Sequence, residues 1–176
     1  MDLRTEKTEN AIKNAFIQLR TQKVLEKITI KELCGIARIH KSTFYSHYQD
    51  IYDLSDTMET EVVKNIIGSI PADSLNTDSL AQVTRELTYG FVSQSSMINI
   101  LFSGNERSHL AYRIEEGLKE IIFEKYPEYK DELRWNIVLS YCIQGAYWAF
   151  QGSRGKDINE VIRIISEITE KVQPLC

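Results

Sequence analysis

Apolar residues recur along this chain at spacings of three and four, which is the period of an amphipathic α-helix. The first such segment runs from about residue 5 to residue 21, and its apolar face consists of Ile12, Ala15, Phe16 and Leu19. The residues expected on its exposed face are Lys7, Lys13, Gln18 and Arg20. Because the chain has three prolines and no long alternation of apolar and polar residues, the pattern predicts an all-α protein.

The periodicity predicts about nine helices. Two short ones, at about residues 30–37 and 41–48, follow the first, and a long helix at about 51–67 begins after Asp50, its expected N-cap. The apolar stripe of the long helix is Ile51, Leu54, Met58, Val62 and Ile66. A polar linker at 68–78 precedes five further helical segments, at about 79–94, 96–102, 106–125, 128–151 and 158–172. We expect a head at residues 1–50 and a helical body at 51–176, connected by the long helix.

Residues 29–48 combine the two short helices with a tight break, which is the arrangement of a helix-turn-helix. Thr29, followed three residues later by Glu32, predicts a capping box at the first of them. The apolar side chains expected to close a core between the helices are Ile30, Leu33, Ile36, Ala37, Ile39, Phe44 and Tyr48. Hydrogen-bonding groups without any acid, which suit phosphates and base edges, form the outward row Lys41, Ser42, Thr43, Tyr45, Ser46 and His47.

The start of the first short helix offers a second place for a DNA phosphate. Free backbone N–H groups and the positive end of the helix dipole attract anions at such a position. Thr29 and Lys31 lie there. Thr29 is then either a cap alone or a cap that also contacts DNA, and the two roles are compatible.

Charge is divided unevenly along the chain. The formal net charge is −4, but residues 1–50 hold nine Lys or Arg against six Asp or Glu, whereas residues 51–176 hold twelve against nineteen. A basic head favours contact with phosphates, and an acidic body disfavours non-specific wrapping by nucleic acid. The asymmetry is modest, so it supports DNA binding only together with the helix-turn-helix pattern.

These segments resemble the head of the tetracycline-repressor (TetR) family of bacterial transcription regulators. The matching motifs are Ile12-x-x-Ala15-Phe16, Thr29-Ile30-Lys31-Glu32-Leu33-Cys34 and Thr43-Phe44-Tyr45-Ser46-His47-Tyr48. The match covers about the first 55 residues, and beyond them only the organisation and length of the body agree. The resemblance implies a DNA-binding regulator, more commonly a repressor than an activator, that binds a near-palindromic operator as a homodimer.

The resemblance also implies roles for individual side chains. Lys41 and Ser42 are expected at base edges, and the residues expected at the DNA backbone or neighbouring bases are Thr29, Lys31, Thr43, Tyr45 and His47. The sequence departs from the family pattern at three positions: Arg38 replaces the turn glycine, His40 the Ser or Thr cap, and Ile51 a phosphate-binding lysine. Affinity is therefore expected to depend more on Lys41 and on Arg38.

The last two predicted helices are strongly apolar on more than one face. Such helices suit contact both with their own domain and with a second copy of the chain. The resemblance likewise implies a homodimer through a four-helix bundle, which would place two heads on major grooves about 34–36 Å apart. The candidate interface residues are Tyr141, Gly145, Trp148, Val161, Ile165 and Ile168. The alternative is a single extended core without a dimer.

Members of the family commonly bind a small molecule in the body, and the resemblance implies such a site among residues 79–125. The candidate lining residues are Arg85, Tyr89, Phe91, Met97, Phe102, His109 and Tyr112. Aromatic side chains at helical spacing also form ordinary core, so pocket and core remain alternatives. The sequence names no ligand.

Other chemistry is sparse. Cys34 and Cys142 are either small buried hydrophobes or functional thiols, since neither belongs to a Cys-x-x-Cys pair. Cys34, His40 and His47 have a spacing that fits no standard metal site, and the terminal Cys176 is unconstrained. Because no catalytic motif for zinc, serine or phosphate chemistry occurs, we expect neither an enzyme nor a cofactor.

The chain has no apolar run of the length of a membrane span or a secretory signal, so we expect a cytoplasmic protein with no membrane partner. The expected partners are an operator duplex, a second copy of the chain and a small effector. The competing hypothesis is a helical ligand-binding or adaptor protein that has the same fold but little or no specific DNA binding.

Overall fold

The computed structural model describes residues 3–75, 80–102 and 107–172, with the side chains of residues 107 and 108 left out. These residues form nine α-helices and two 3-10 helices, Leu25–Lys27 and Pro127–Tyr129. The α-helices are α1 (Leu3–Arg20), α2 (Ile30–Ala37), α3 (Lys41–Tyr45), α4 (Ile51–Gly68), α5 (Leu80–Ser93), α6 (Ser95–Leu101), α7 (Arg107–Lys125), α8 (Leu133–Gly152) and α9 (Ile158–Val172). The predicted all-α architecture is confirmed.

Two helix boundaries differ from the prediction. α3 ends at Tyr45, three residues early, because Ser46 caps it and its hydroxyl donates to the carbonyl of Thr43 at 2.7 Å. α8 begins at Leu133 instead of residue 128, since Pro127 opens a separate 3-10 helix. The predicted helix starts at 79 and 106 and the linker residues 76–78 lie outside the described residues.

The chain divides into two compact units. Unit 1 consists of Met1–Val62 and Ser96–Gly104, and unit 2 consists of Val63–Ser95 and Asn105–Cys176. The helix-turn-helix therefore groups with α1, with the first part of α4 and with α6. The division into a functional head at 1–50 and a body at 51–176 stays a prediction.

The core of unit 1 lies between α1, α2, α3 and the start of α4. Its fully buried side chains are Ile12, Phe16, Leu33, Phe44 and Leu54, which confirms the predicted apolar faces of these helices. Ile36 was predicted inside this core but is 39% exposed. The buried face of α2 is centred between Leu33 and Cys34, and Ile36 lies roughly 110° away from that centre at 100° per residue.

In unit 2, α5 packs on α8 and α9, and α7 packs on α8. Ala146 of α8 contacts Val161 and Ile165 of α9, with Phe150 packed against them. α7 also approaches the end of α4 closely, because a Cβ at Gly117 would lie 2.6 Å from Cδ1 of Ile67. Glycine at this position therefore sets the spacing of α7 and α4.

A buried polar cluster joins α7 to α8. The Glu115 carboxylate accepts hydrogen bonds from Lys119 Nζ at 2.7 Å and from Gln144 Nε2 at 2.8 Å, and the Ser140 hydroxyl donates to the same carboxylate. Burial alone raises the pKa of Glu115, but the hydrogen bonds from Lys119, Ser140 and Gln144 outweigh it and hold the pKa below its usual value. The charged carboxylate is thus the form that the fold stabilises.

This cluster predicts acid sensitivity. Because the pKa of Glu115 is lower in the folded chain than in the unfolded chain, its contribution is complete above about pH 5 and is lost as the pH falls through the folded value. Glu115→Gln should lower the free energy of unfolding at neutral pH by about 1–3 kcal/mol and flatten its decline in acid. Thermal unfolding from pH 7 to pH 3 measures both effects. Glu116→Gln removes a neighbouring exposed charge and serves as the control; the same acid profile for both variants would contradict the assignment.

Candidate nucleic-acid interface

The first helix of the candidate interface, α2, begins with a complete capping box. The Thr29 hydroxyl accepts from the N–H of Glu32 at 3.3 Å, and the Glu32 carboxylate accepts from the N–H of Thr29 at 3.3 Å. Lys23 pairs with the same carboxylate, and hydrogen bonds from Lys23 and Thr29 lower the pKa of Glu32. The predicted capping box is confirmed, and the start of α2 is held by three side chains.

The turn between α2 and α3 is closed by backbone hydrogen bonds to one carbonyl. The N–H groups of Arg38 and Ile39 both donate to the Cys34 carbonyl, the second at 3.1 Å. Arg38 adopts the left-handed conformation, with φ 55° and ψ 46°, and is the one non-glycine residue at positive φ in the described part of the chain. The turn therefore keeps its left-handed geometry although arginine replaces glycine, at a cost of about 1 kcal/mol or more.

α3 is anchored by aromatic side chains on its inner face. Phe44 is fully buried, and its ring centroid lies 5.8 Å from that of Tyr48 and 5.7 Å from that of Tyr45. The carbonyl of His40 accepts from the N–H groups of Thr43 and Phe44, but the His40 side chain makes no cap hydrogen bond. The backbone alone thus starts α3, as the replacement of the usual cap predicts.

The outer face of α3 is polar and open. Lys41, Ser42 and Ser46 are exposed, and Tyr45 is 55% exposed although it lies next to the buried Phe44. Thr43 and His47 are half-buried at the edges of this face. Lys31 and Arg38 are exposed on α2 and in the turn. The structure therefore places all eight candidate DNA-binding residues on the helix-turn-helix, six of them exposed and two half-buried.

A charge cluster joins the middle of α4 to α1. Lys13 Nζ lies 2.8 Å from a Glu9 carboxylate oxygen and also pairs with Glu61 of α4. Burial lowers the pKa of Lys13, but the hydrogen bonds to Glu61 and Glu9 outweigh it and raise that pKa. Burial, together with Glu9, raises the pKa of Tyr48 to about 12. Sequence periodicity gave no signal for the contact between Lys13 and Glu61.

At the start of α4, Ile51 occupies the position where the family pattern has a phosphate-binding lysine. The Asp50 carboxylate accepts from the N–H groups of Tyr52 at 2.8 Å and Asp53 at 2.9 Å, which confirms the predicted N-cap. Ile51 is buried in the core of unit 1. This position therefore supports packing and offers no cation to a phosphate.

Arg38 allows stability and DNA binding to be separated. Arg38→Gly should raise the free energy of unfolding by roughly 1 kcal/mol, because glycine adopts positive φ without strain. The same variant should bind an operator several-fold more weakly, because it loses a guanidinium expected near the DNA backbone. The slope of the logarithm of its affinity against the logarithm of salt concentration should fall by about 1. Arg38→Ala keeps the strain and is the control: it should lose affinity without gaining stability. If Arg38→Gly bound DNA as tightly as the wild type, Arg38 would not be part of the DNA interface.

The candidate dimer residues fall into two groups in unit 2. Tyr141, at 62% exposure, lies on an open stripe of α8 with Gly145 and Trp148, and Ile168 is exposed on α9. Val161 and Ile165 are buried against α8 of the same chain. A groove of about 200 Å³ between the two helices is lined by residues that include Tyr141, Gly145, Ile165 and Ile168.

The candidate ligand residues are not gathered into one unit. Met97 and Phe102 belong to unit 1, and the other five belong to unit 2. Phe91 is fully buried, with its ring centroid 5.5 Å from that of Tyr147 and 5.7 Å from that of Phe150. Arg85 and His109 are exposed, as are Tyr89 at 48% and Tyr112 at 59%. Phe91 thus has a core role in unit 2, and the pocket stays a prediction.

Across the described ranges, no three His, Cys, Asp or Glu side chains come together in a way that would hold a metal ion. Within those same ranges, no helix has both the length and the apolar character needed to cross a membrane.

Comparison with known proteins relates the fold to transcription regulators. No protein-family profile matches the chain, and no curated protein matches it. The solved structure of the dihydroxyacetone kinase operon activator DhaS is 15% identical, with a TM-score of 0.63 over 96% of this chain and 97% of that one. NalD, the secondary repressor of the MexAB-OprM multidrug efflux pump in Pseudomonas aeruginosa, is 18% identical, with a TM-score of 0.66 over 97% of this chain and 98% of that one.

A TetR transcriptional regulator from Rhodococcus sp. RHA1 is 16% identical, with a TM-score of 0.54 over 97% of both chains. Structural similarity at this level of identity establishes the fold. The chain therefore has the fold of TetR-type transcription regulators over nearly its whole length, which confirms the resemblance first seen in the helix-turn-helix.

Proposed function

We propose that this protein is a transcription regulator that binds a near-palindromic operator as a homodimer. The observation that carries the proposal is the arrangement of α3, which buries Phe44 and exposes Lys41, Ser42 and Tyr45 side by side. A short helix anchored on one face and rich in donors on the other is the reading element of a helix-turn-helix. The regulators that share the fold support the same function.

The electrostatics of the head support contact with the DNA backbone. The exposed cations of the helix-turn-helix are Lys31, Arg38 and Lys41, whereas Glu32 is engaged by Lys23 and the cap of α2. The N-terminal turn of α2 also presents the positive end of its dipole next to Lys31. Together these groups provide the phosphate contacts that position α3 over base edges.

The open stripe on α8 supports the homodimer. Leu133, Ile137, Tyr141, Gly145 and Trp148 follow one another at spacings of three and four, and the four large apolar side chains among them are all exposed. α9 adds Ile164 and Ile168. An apolar surface of this extent on two adjacent helices is typical of an interaction site, and a second copy of the same helices matches it in chemistry.

We propose repression as the mode of regulation, with a small ligand in the body that modulates DNA binding. NalD, a repressor with the same fold, supports this mode, whereas DhaS, an activator with the same fold, supports the alternative. In vitro transcription from a promoter that carries a selected operator separates them. Falling transcript yield with added protein is expected, and rising yield would establish an activator.

Fluorescence polarisation with a salt titration tests the DNA-binding proposal. A duplex selected from genomic fragments should bind far more tightly than a shuffled duplex, and the logarithm of its affinity should fall linearly with the logarithm of salt concentration. Equal affinity for both duplexes at low salt would favour the competing hypothesis of a helical adaptor or ligand-binding protein.

A further inference from the structure

Gln151, in the last turn of α8, has a side-chain carboxamide without a hydrogen-bond partner in the described part of the chain. The residue as a whole is half-buried, but its Nε2 and Oε1 atoms are both buried and both unpartnered. Buried polar groups in folded proteins are nearly always hydrogen-bonded, because leaving one unpaired costs stability. An apolar side chain of the same length would avoid that cost, so the carboxamide indicates a polar partner that binds here.

The face of α8 that carries Gln151 turns toward the interior of unit 2. Gln144 precedes it by seven residues and lies about 20° away around the helix. The Nε2 of Gln144 donates to the Glu115 carboxylate of α7 at 2.8 Å. Tyr147, four residues before Gln151 and therefore its neighbour on the helix surface, is fully buried. Two carboxamides thus lie on one inward face, and the one at Gln144 is bonded whereas the one at Gln151 is not.

An aromatic cluster lies beside the unpartnered carboxamide. Phe91 of α5 is fully buried, and its ring centroid lies 5.5 Å from that of Tyr147 and 5.7 Å from that of Phe150. Phe150 directly precedes Gln151, and Tyr147 lies one helical turn before it. Aromatic side chains around a few polar groups are typical of sites for small molecules, and flat rings pack well on them.

The charges in unit 2 favour an uncharged ligand at this place. The two ionised groups on the same face, Glu115 and Lys119, pair with each other at 2.7 Å. Arg85 and His109, the ionisable residues among the candidate ligand residues, are exposed. A charge buried without a counter-charge is far more costly than a buried neutral group. A carboxamide offers a donor and an acceptor together, so a neutral partner that satisfies both presents an acceptor and a donor side by side.

We propose that Gln151 anchors the effector, and that the effector is a flat, uncharged molecule with a carboxamide or lactam edge. The proposal rests on the ligand-modulated regulation proposed above and names the chemistry of that ligand. Gln151 Nε2 donates to the carbonyl of the ligand, and Gln151 Oε1 accepts from the adjacent N–H. The ring of the ligand packs beside Tyr147 and Phe150.

Thermal unfolding of the ligand-free, full-length protein tests whether the carboxamide lacks a partner. Gln151→Met keeps the length of the side chain and removes both polar atoms, so the midpoint of unfolding should rise by about 2–4 °C. Gln144→Met makes the same change at the bonded carboxamide of the same helix face and is the matched control, and its midpoint should fall. An unchanged or lower midpoint for Gln151→Met would mean that Gln151 has a partner, such as a bound water, and would overturn the proposal.

Calorimetric titration with benzamide and with acetophenone tests the chemistry of the ligand. The two molecules share the ring and the carbonyl, but acetophenone has a methyl group where benzamide has its amide nitrogen. The wild type should bind benzamide at least about 10-fold more tightly, because acetophenone leaves Gln151 Oε1 unpaired. Gln151→Met should lose this preference. Equal affinity of the wild type for both molecules, or binding of neither, would overturn the proposal, and this comparison decides the matter even if Gln151→Met does not fold.

Fluorescence polarisation with a duplex selected from genomic fragments separates this proposal from the function on which it rests. If benzamide binds through Gln151 and changes the affinity of the wild type for the duplex, both proposals are supported. If benzamide binds through Gln151 and DNA affinity does not change, the site is supported and the ligand-modulated regulation is wrong. If benzamide changes DNA affinity equally in the wild type and in Gln151→Met, the regulation is supported and the role of Gln151 is overturned.

Discussion

Replacing Lys41 by alanine and Tyr45 by phenylalanine in one variant should weaken binding to a selected operator at least about 100-fold. Both side chains are exposed on α3, so their polar groups are available to DNA. A base-edge or phosphate contact is typically worth about 1–3 kcal/mol, and two such contacts give about this loss. Because the Tyr45 ring remains and Phe44 is untouched, circular dichroism and gel filtration should show an unchanged fold and assembly. Fluorescence polarisation at fixed salt measures the affinity.

The body offers a matched control for this variant. Lys156→Ala with Tyr112→Phe makes the same two chemical changes at exposed residues of unit 2. This control should retain wild-type affinity apart from a small electrostatic change. If the α3 variant bound as tightly as the control, α3 would not be the reading helix, and the assignment of Lys41 and Tyr45 would be wrong.

The second large effect is expected at Gly145, which lies between Tyr141 and Trp148 on the open stripe of α8. A Cβ at Gly145 meets nothing within 4 Å, so a larger side chain leaves the fold of the single chain intact. In a dimer, Gly145→Glu would place an unpaired carboxylate in an apolar interface, at a cost of about 3 kcal/mol or more. The dimer dissociation constant should rise about 100-fold or more, as measured by sedimentation over a concentration series.

Gly152→Glu is the control for the dimer. Gly152 ends the same helix, is exposed, and also has nothing within 4 Å of a Cβ. This variant should remain dimeric, whereas Gly145→Glu should become monomeric and bind a full operator much more weakly, because a single head contacts only one half-site. If the two variants had the same oligomeric state, either the interface would lie elsewhere or the chain would be a monomer.

Local patterns predicted the elements of the head well. Thr29 and Glu32 predicted the capping box of α2, and Asp50 predicted the N-cap of α4. Helical spacing predicted the buried faces of α1 and α3. Each of these depends on residues within a few positions of one another, where sequence determines which groups can meet. The exposed polar row on α3 follows from the same local rule once Phe44 is placed inside.

Contacts between distant segments were beyond that rule. Arg20 and Leu101 are 81 residues apart, and Lys13 and Glu61 are 48 apart, so no helical period relates them. Helical spacing predicts an exposed Arg20, but the side chain is buried because its guanidinium donates to the carbonyl of Leu101, which only the tertiary fold brings close. The division of the candidate ligand residues between two units was unpredictable for a similar reason, because spacing along α5, α6 and α7 does not determine which unit each helix joins.

Selection of bound genomic fragments followed by sequencing tests the central claim, specific DNA recognition by the helix-turn-helix, most directly. The wild-type protein should recover a small set of fragments that share a near-palindrome, with half-sites separated by a whole number of helical turns. The Lys41→Ala, Tyr45→Phe variant should recover no such set. Recovery of the same random fragments by wild type and variant would contradict the claim.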